Sequence, residues 1–257
     1  MFSCLVFSCL VFSCLVFSCL VLPCLVLSCP LCHSNATELW HIHTHKPLVG
    51  REYHRCKVCD LIFVPPAFHW DKPAEMAIYQ QHENNPNDLG YRKFLDRIKQ
   101  PMLQQLALLK KSQKTANKPE DKIAGLDFGC GPGPTLSLML EEVGVSCANY
   151  DLYFANHPEL LEQKYDFIVS TEVFEHLAQP AEVINQLVSC LKPQGILGIM
   201  TQRPRDLAAF QNWRYLADPT HISFFSEACF KWLAKHWQLE QVYLGSDVVL
   251  LKKTADK

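Results

Sequence analysis

The residues point to an α/β domain with a doubly wound, mostly parallel sheet and an antiparallel last strand, carried behind a small cysteine module. Three observations lead there. An apolar run ending in an acid, "KIAGLDFGCGPG", leads through a glycine-rich turn into the helical "TLSLMLEEVG". Near the end, the helical "SEACFKWLAKHW" precedes two short apolar runs, "LEQVYLG" and "VVLLKK", that read as an antiparallel pair. Upstream lie two Cys-x-x-Cys pairs, Cys29 with Cys32 and Cys56 with Cys59.

A chain of 257 residues has room for one large domain and a small accessory one. Its formal net charge of -2 provides no basic excess to grip a phosphate backbone, so general nucleic-acid affinity is not indicated. Thirteen cysteines would suggest disulfides in a small secreted domain. Their placement argues otherwise: Cys4, Cys9, Cys14, Cys19 and Cys24 belong to a five-residue repeat, four form the two pairs, and Cys130, Cys147, Cys190 and Cys229 sit singly among apolar neighbours as buried thiols. That pattern suits a cytoplasmic, reducing compartment.

Residues 1–28 repeat F-S-C-L-V with period five and carry no charge. A helix turns 100° per residue, so this period smears every residue type around all faces, and strand alternation fails as well. The stretch reads as a low-complexity tandem expansion, with a membrane segment as the alternative because it is long enough to span. It lacks the basic start of a signal peptide.

The cysteine module occupies residues 29–70. Two Cys-x-x-Cys turns at this separation offer four thiolates tetrahedrally, so Cys29, Cys32, Cys56 and Cys59 are read as ligands of a structural zinc. The apolar run after Cys59 is the strand expected to close such a ribbon. His41, His43 and His45 alternate on one strand face and are expected to face solvent, since four sulfurs already complete the site. Residues 71–121 form a linker and helical extension: "VPPAFHWDKP" marks the boundary, and "YRKFLDRIKQPMLQQLALLKKSQK" has helical apolar spacing with a break expected at Pro101.

Residues 122–257 form the α/β domain. In its glycine turn, Gly129, Gly131 and Gly133 let the backbone bend sharply and approach a ligand, and the following helix offers free N–H groups. The third glycine of a pyrophosphate-binding G-x-G-x-x-G is missing, and Asp127 stands two residues before the first glycine. A carboxylate there repels a pyrophosphate but accepts from an ammonium. S-adenosylmethionine has an amino-acid end and no phosphate.

With these residues the chain resembles the class I S-adenosylmethionine-dependent methyltransferases. "LDFGCGPG" is similar to that family's first motif, "ANYD" to its second strand with a ribose-binding acid at Asp151, "YDFIVSTEVFEHL" to its fourth strand and turn, and "LKPQGILGIMT" to its fifth strand, with Gln194 in place of a glycine. The resemblance implies a Rossmann-like, seven-strand-type sheet, S-adenosylmethionine as cofactor, and Asp127, Gly129, Gly131, Gly133, Asp151 and Glu172 as its binding residues. Between Asp151 and Tyr165 the chain is shorter than the family's third strand and helix, which leaves the adenine pocket open.

Methyl transfer depends on alignment, with a base needed only when the acceptor holds its proton. Glu172, Glu175 and His176 stand at i, i+3 and i+4, on one face if a helix begins there, and His221 lies in the loop after the fifth strand. Glu175, His176 and His221 are therefore the candidate catalytic residues. Together with Glu172 they form an E-x-x-E-H…H set able to hold a divalent cation, which resembles small-RNA 2′-O-methyltransferases and, in part, quinone-biosynthesis O-methyltransferases. The other reading is that these side chains line the cofactor pocket. Phe210, Trp213 and Tyr215 are candidates for an acceptor lid or for packing. The expected activity is O-methylation of a small or polymer-borne acceptor; the rival from another class is a ribbon-bearing interaction protein that binds the cofactor without turnover. The residues identify neither the acceptor nor an oligomeric state.

Overall fold

The computed structural model describes residues 27–81, 84–115 and 122–254. The five-residue repeat lies outside them except for its last two positions. In chain order the strands are β1 (Thr37–Ile42), β2 (Glu52–Cys56), β3 (Ile62–Phe63), β4 (Ala124–Phe128), β5 (Ser146–Tyr150), β6 (Tyr165–Thr171), β7 (Leu191–Met200), β8 (Ser223–Phe224), β9 (Leu239–Leu244) and β10 (Val248–Lys253). The α-helices are α1 (Lys72–Tyr79), α2 (Leu89–Thr115), α3 (Thr135–Glu141), α4 (Pro180–Cys190), α5 (Leu207–Gln211) and α6 (Glu227–His236).

The large sheet has the order β5-β4-β6-β7-β10-β9. β5, β4, β6 and β7 run parallel, and β10 is antiparallel to both β7 and β9. β6 is buried along nearly its whole length, as a strand covered by helices on both faces must be. On one face α2 and α3 bury Leu95, Ile98, Met102, Leu136 and Met139 against Phe167, Val169 and Leu250. On the other, Ile184 and Leu187 of α4 and Phe230 and Leu233 of α6 share a core with Leu31, Cys56, Cys59 and Leu61 of the cysteine module. The module is thus packed on the large sheet through the same apolar core that holds the domain together.

Two expectations change. The sheet has six strands among the described residues: the third strand is missing, and residues 152–164 contribute only a bridge from Asp151 to Ala155 and a 3-10 turn at Pro158–Glu162, which leaves β5 at the edge. The segment is too short for a strand plus a crossover helix. And α2 runs unbroken through Pro101. A proline inside a helix costs about 3 kcal/mol, offset here because Ile98 and Met102 on either side are fully buried. Gly198 of β7 lets them approach, since a Cβ there would lie 2.8 Å from Met102 Cε.

The small sheet has the order β1-β2-β3-β8, so its fourth strand comes from the far end of the α/β domain. His41 and His43 do not face solvent as expected. They are half-buried, with His41 stacked on Tyr53 and edge-on to Phe210; His45 alone is exposed. Trp213 and Tyr215 likewise pack with Phe210 and Phe224 in a core that covers the small sheet. The helix expected at "SEACFKWLAKHW" forms as α6, with Ser226 Oγ accepting from Cys229 N at 3.0 Å.

Candidate active site

The glycine turn is built where β4 hands the chain to α3. Gly129 has φ of +80°, and a Cβ on it would sit 2.3 Å from Val173 Cγ2, so only glycine fits. Its N–H and that of Cys130 both donate to Tyr150 O at the end of β5, at 2.7 and 3.2 Å. Gly131 N donates to Asp151 Oδ2 at 3.0 Å, while Asp151 Oδ1 accepts from Tyr153 N and Phe154 N. The acid at the end of β5 thereby locks the turn to its neighbouring loop. Asn84 closes over it: its carbonyl accepts from Thr135 Oγ1 at 3.0 Å and would lie 2.1 Å from a Cβ on Gly133.

Asp127, 1% exposed, keeps one oxygen without a hydrogen-bond partner. Burial, and then the neighbouring charge of Asp151, push its carboxyl up to about 7. Glu172 also has an unpartnered oxygen, and burial and Glu175 raise it to about 8. Tyr91 is raised to about 12, by burial and then by the Asp127 and Glu172 charges it faces. Two buried acids, each with an oxygen that has no hydrogen-bond partner among the described residues, describe a place for a cationic ligand.

A cavity of about 880 Å³ opens at the carboxyl ends of the strands. This is the position of ligand sites in doubly wound sheets, and the volume is at the upper end of the usual range. One end is lined by Gly129, Gly131, Tyr150, Asp151 and Leu152, and the other by Tyr79, Glu172, His176, Asp218 and His221.

At that second end no α-helix begins at "TEVFEHL". Glu172 takes a left-handed backbone at φ +52°, and Phe174–His176 form a single 3-10 turn. The helix expected there does not form, yet the side chains converge: His176 lines the cavity, and Glu175, fully buried, accepts a short hydrogen bond from Tyr215 Oη. Burial raises Glu175 to about 7. Tyr215 Oη also reaches Glu172 Oε2 at 3.3 Å. His221, though 45 residues from His176 in sequence, lies beside it, with ring centroids 4.8 Å apart. Each imidazole spends its Nδ1 on a backbone carbonyl, His176 on Thr220 O at 3.1 Å and His221 on Tyr215 O at 2.7 Å. A carbonyl only accepts, so Nδ1 carries a proton in both rings and Nε2 is the nitrogen that gains or loses one. Asp218 Oδ2 lies 3.8 Å from His221 Nε2. Burial works against the Asp218 charge, but hydrogen bonds from Thr220 and the His221 charge hold its carboxyl below the ordinary range.

A family model described as "Methyltransferase domain" matches residues 93–244. The chain belongs to the methyltransferase-domain family. Its four-cysteine cluster lies N-terminal to the matched residues. The methyltransferase is 31% identical over 74 residues to the ubiquinone biosynthesis O-methyltransferases of Serratia proteamaculans and Sodalis glossinidius; the match spans 29% of this chain and 31% and 30% of theirs, under a third of those relatives. It is also similar to the solved structure of a putative sarcosine dimethylglycine methyltransferase from Galdieria sulphuraria, at 18% identity and a TM-score of 0.45 over 68% of this chain and 70% of that one. A magnesium protoporphyrin IX methyltransferase from Synechocystis PCC 6803 with bound SAH gives 17% identity and a TM-score of 0.44 over 71% and 94%.

The residues of this methyltransferase fit the donor. Asp127 and Glu172 have acceptor oxygens to spare for an ammonium, and Gly129 admits no side chain at the turn. Asp218 and Asn84 were missed in the sequence, and Tyr215 was read only as lid or packing; the partners of Tyr215 and Asn84, Glu175 and Thr135, lie far along the chain.

The methyltransferase's cysteine cluster lies apart from the cavity. Cys29 and Cys59 Sγ are 3.5 Å apart, Cys32 and Cys56 Sγ 3.4 Å, and all four lie within 4.8 Å of one another. A tetrahedral zinc with Zn–S near 2.3 Å needs sulfurs about 3.8 Å apart. Cys229 of α6, expected as an ordinary buried thiol, is buried beside Cys59.

Proposed function

We propose that the protein methylates a hydroxyl oxygen, with His221 as the general base. The observation that carries this is the pair of cavity-lining imidazoles whose Nδ1 atoms are tied to backbone carbonyls, which makes Nε2 the proton-exchanging nitrogen, that of His221 lying 3.8 Å from Asp218 Oδ2. S-adenosylmethionine bound against Asp127, Glu172 and the glycine turn supplies an electrophilic methyl group on a sulfonium sulfur. Asp151, on the same rim, has both oxygens accepting from backbone N–H groups, of Gly131 on one side and of Tyr153 and Phe154 on the other, and stands where a ribose-binding acid is expected. His221 Nε2 takes the proton that the acceptor oxygen gives up, and Asp218 steadies the imidazolium that results. His176 shares that end of the cavity and orients the acceptor. Glu175, buried away from the cavity, holds Tyr215 and through its carbonyl the ring of His221. The kinship to ubiquinone biosynthesis O-methyltransferases, though confined to 74 residues, favours an oxygen acceptor. Labelled donor offered to a panel of catechols, phenols and aliphatic alcohols tests the reading; transfer only to amines or carbon would overturn it.

A second reading has one observation in its favour: ligand atoms of Glu175, His176 and His221 all lie within 4.8 Å of one another, as a divalent cation held with Glu172 would require. Activity that survives exhaustive chelation excludes it. For the cysteine cluster we propose a structural zinc on Cys29, Cys32, Cys56 and Cys59. Metal analysis of a Cys56→Ser, Cys59→Ser double variant should show it gone; unchanged zinc content defeats the assignment. Four cysteines as zinc ligands and the other four of the described residues as buried thiols fit a reducing cytoplasm, and none of the described helices is long and apolar enough to cross a membrane.

A further inference from the structure

Arg51 stands on the cysteine module at the start of β2, and its side chain leaves that module. It is 3% exposed, with Cζ 5.5 Å over the ring of Tyr53. Nη1 donates to Pro219 O at 2.9 Å, and Nη2 makes a short hydrogen bond to His221 O, 170 residues away in the chain. The carbonyl between those two, Thr220 O, is the one that accepts from His176 Nδ1. One guanidinium therefore grips the two carbonyls that flank the acceptor of one imidazole, and the second of them belongs to the residue that carries the other imidazole.

We infer that Arg51 is a positioning residue for both His176 and His221, and that the cysteine module serves the methyl-transfer site by holding the loop on which both imidazoles depend. The value of those histidines to catalysis rests on the function proposed above; the hold on them does not.

Three further contacts make the module a frame rather than a neighbour. Val64 N donates to Ile222 O at 2.9 Å, β8 directly after His221 pairs with β3, and Ser226 Oγ reaches Asp60 Oδ2. On the domain side Ile222 N donates to Glu175 O at 2.7 Å, Ser223 Oγ to Leu177 O, and His176 Nδ1 to Thr220 O, which ties the same segment back to the turn after β6. A planar fork suits this role because two carbonyls two residues apart must be satisfied at once in a buried place, and an ammonium offers no such fixed pair of donors. Burial lowers the Arg51 guanidinium from its ordinary value, and nearby Asp218 counteracts that by raising it.

The test compares Arg51→Ala and Arg51→Lys in the full chain. Two readouts are followed: affinity for S-adenosylhomocysteine by calorimetry, and the rate at which diethylpyrocarbonate labels His176 and His221, resolved by peptide mass spectrometry. Exposed His157 is the internal reference. Loss of two hydrogen bonds to buried carbonyls should raise local opening, and so labelling of both histidines, by at least about fivefold in Arg51→Ala. Arg51→Lys should restore part of the protection. Affinity should stay within about twofold, because the glycine turn touches none of these groups. Wild-type labelling rates in Arg51→Ala overturn the inference. So does loss of S-adenosylhomocysteine binding in both variants, which would make Arg51 a support of the whole fold. Failure of the wild-type protein to bind the probe or to methylate any hydroxyl would instead strike the proposed function and leave the labelling comparison readable.

Discussion

The two ends of the cavity are built in opposite ways. The donor end comes mostly from a nearly continuous stretch, Asp127 to Asp151, a strand, a turn, a helix and the next strand, to which Glu172 and Asn84 are added from outside. The acceptor end is assembled from four separated pieces: the turn after β6, the loop before β8, α1 through Tyr79, and the cysteine module through Arg51. A local site is set by backbone geometry, while an assembled one is only as good as the contacts that hold its pieces. The difference predicts that changes at one end should leave the other intact.

The largest effect should come from His221→Ala. Removing a general base slows transfer by about 10²–10⁴-fold, while donor affinity, set at the other end, stays as it was. A radiolabel assay on an accepted hydroxyl, run beside calorimetry, makes the comparison. If donor binding collapses as well, the two ends are one unit and the division fails.

Asp127→Asn is the mirror case and somewhat smaller. Hydrogen bonds to charged groups contribute about 1.5–3 kcal/mol, so donor affinity should drop on the order of 10- to 100-fold. The ligand-free protein should melt no lower than wild type, because a fully buried carboxyl with an unpartnered oxygen costs stability when it ionises. A lowered melting temperature with unchanged affinity would assign Asp127 to the fold.

How much of each end was legible follows from the same contrast. Asp127, the glycines and Asp151 could be read because their spacing is their geometry, and the final helix and antiparallel pair were legible from period and N-cap. The missing third strand was visible only as a shortage of residues. The acceptor end was legible as residue types, Glu175, His176 and His221, but not as an arrangement: the helix expected at "TEVFEHL" is a 3-10 turn, and Glu175 points inward. Pro101 misled because a local rule was overridden by burial of Ile98 and Met102, and the histidine stripe misled because Phe210 arrives from 165 or more residues away to cover it. Gln194 is the reverse: it holds φ of +66° where the resembled motif has glycine, so the backbone kept the turn after the side chain changed.

Acidity separates the ends again, with a smaller effect. In the ligand-free folded protein the Asp127 carboxyl is raised to about 7, against about 3.9 when the chain is unfolded. A raised value means that its contribution to stability is fullest below about pH 4 and is lost as pH climbs through 7. Donor affinity runs the other way, since an ammonium favours the carboxylate: it should strengthen up to pH 7 and weaken below, by no more than about tenfold per pH unit. Binding near pH 6.5 should release a proton, so the calorimetric heat should vary with buffer ionisation enthalpy in wild type and not in Asp127→Asn.

The smallest effect tests whether the module and the domain are as closely joined as the shared core implies. Ser226 Oγ caps α6 through Cys229 N and donates to Asp60 in the cysteine module. A lost N-cap costs about 1 kcal/mol. Because Asp60 would lose the same partner, Ser226→Ala should also loosen the module, lowering the melting temperature by a few degrees and speeding amide exchange in both α6 and residues 56–63. Faster exchange confined to α6 would mean that the module holds its own shape, and that Arg51 and β8, not the cap, carry its grip on the acceptor loop.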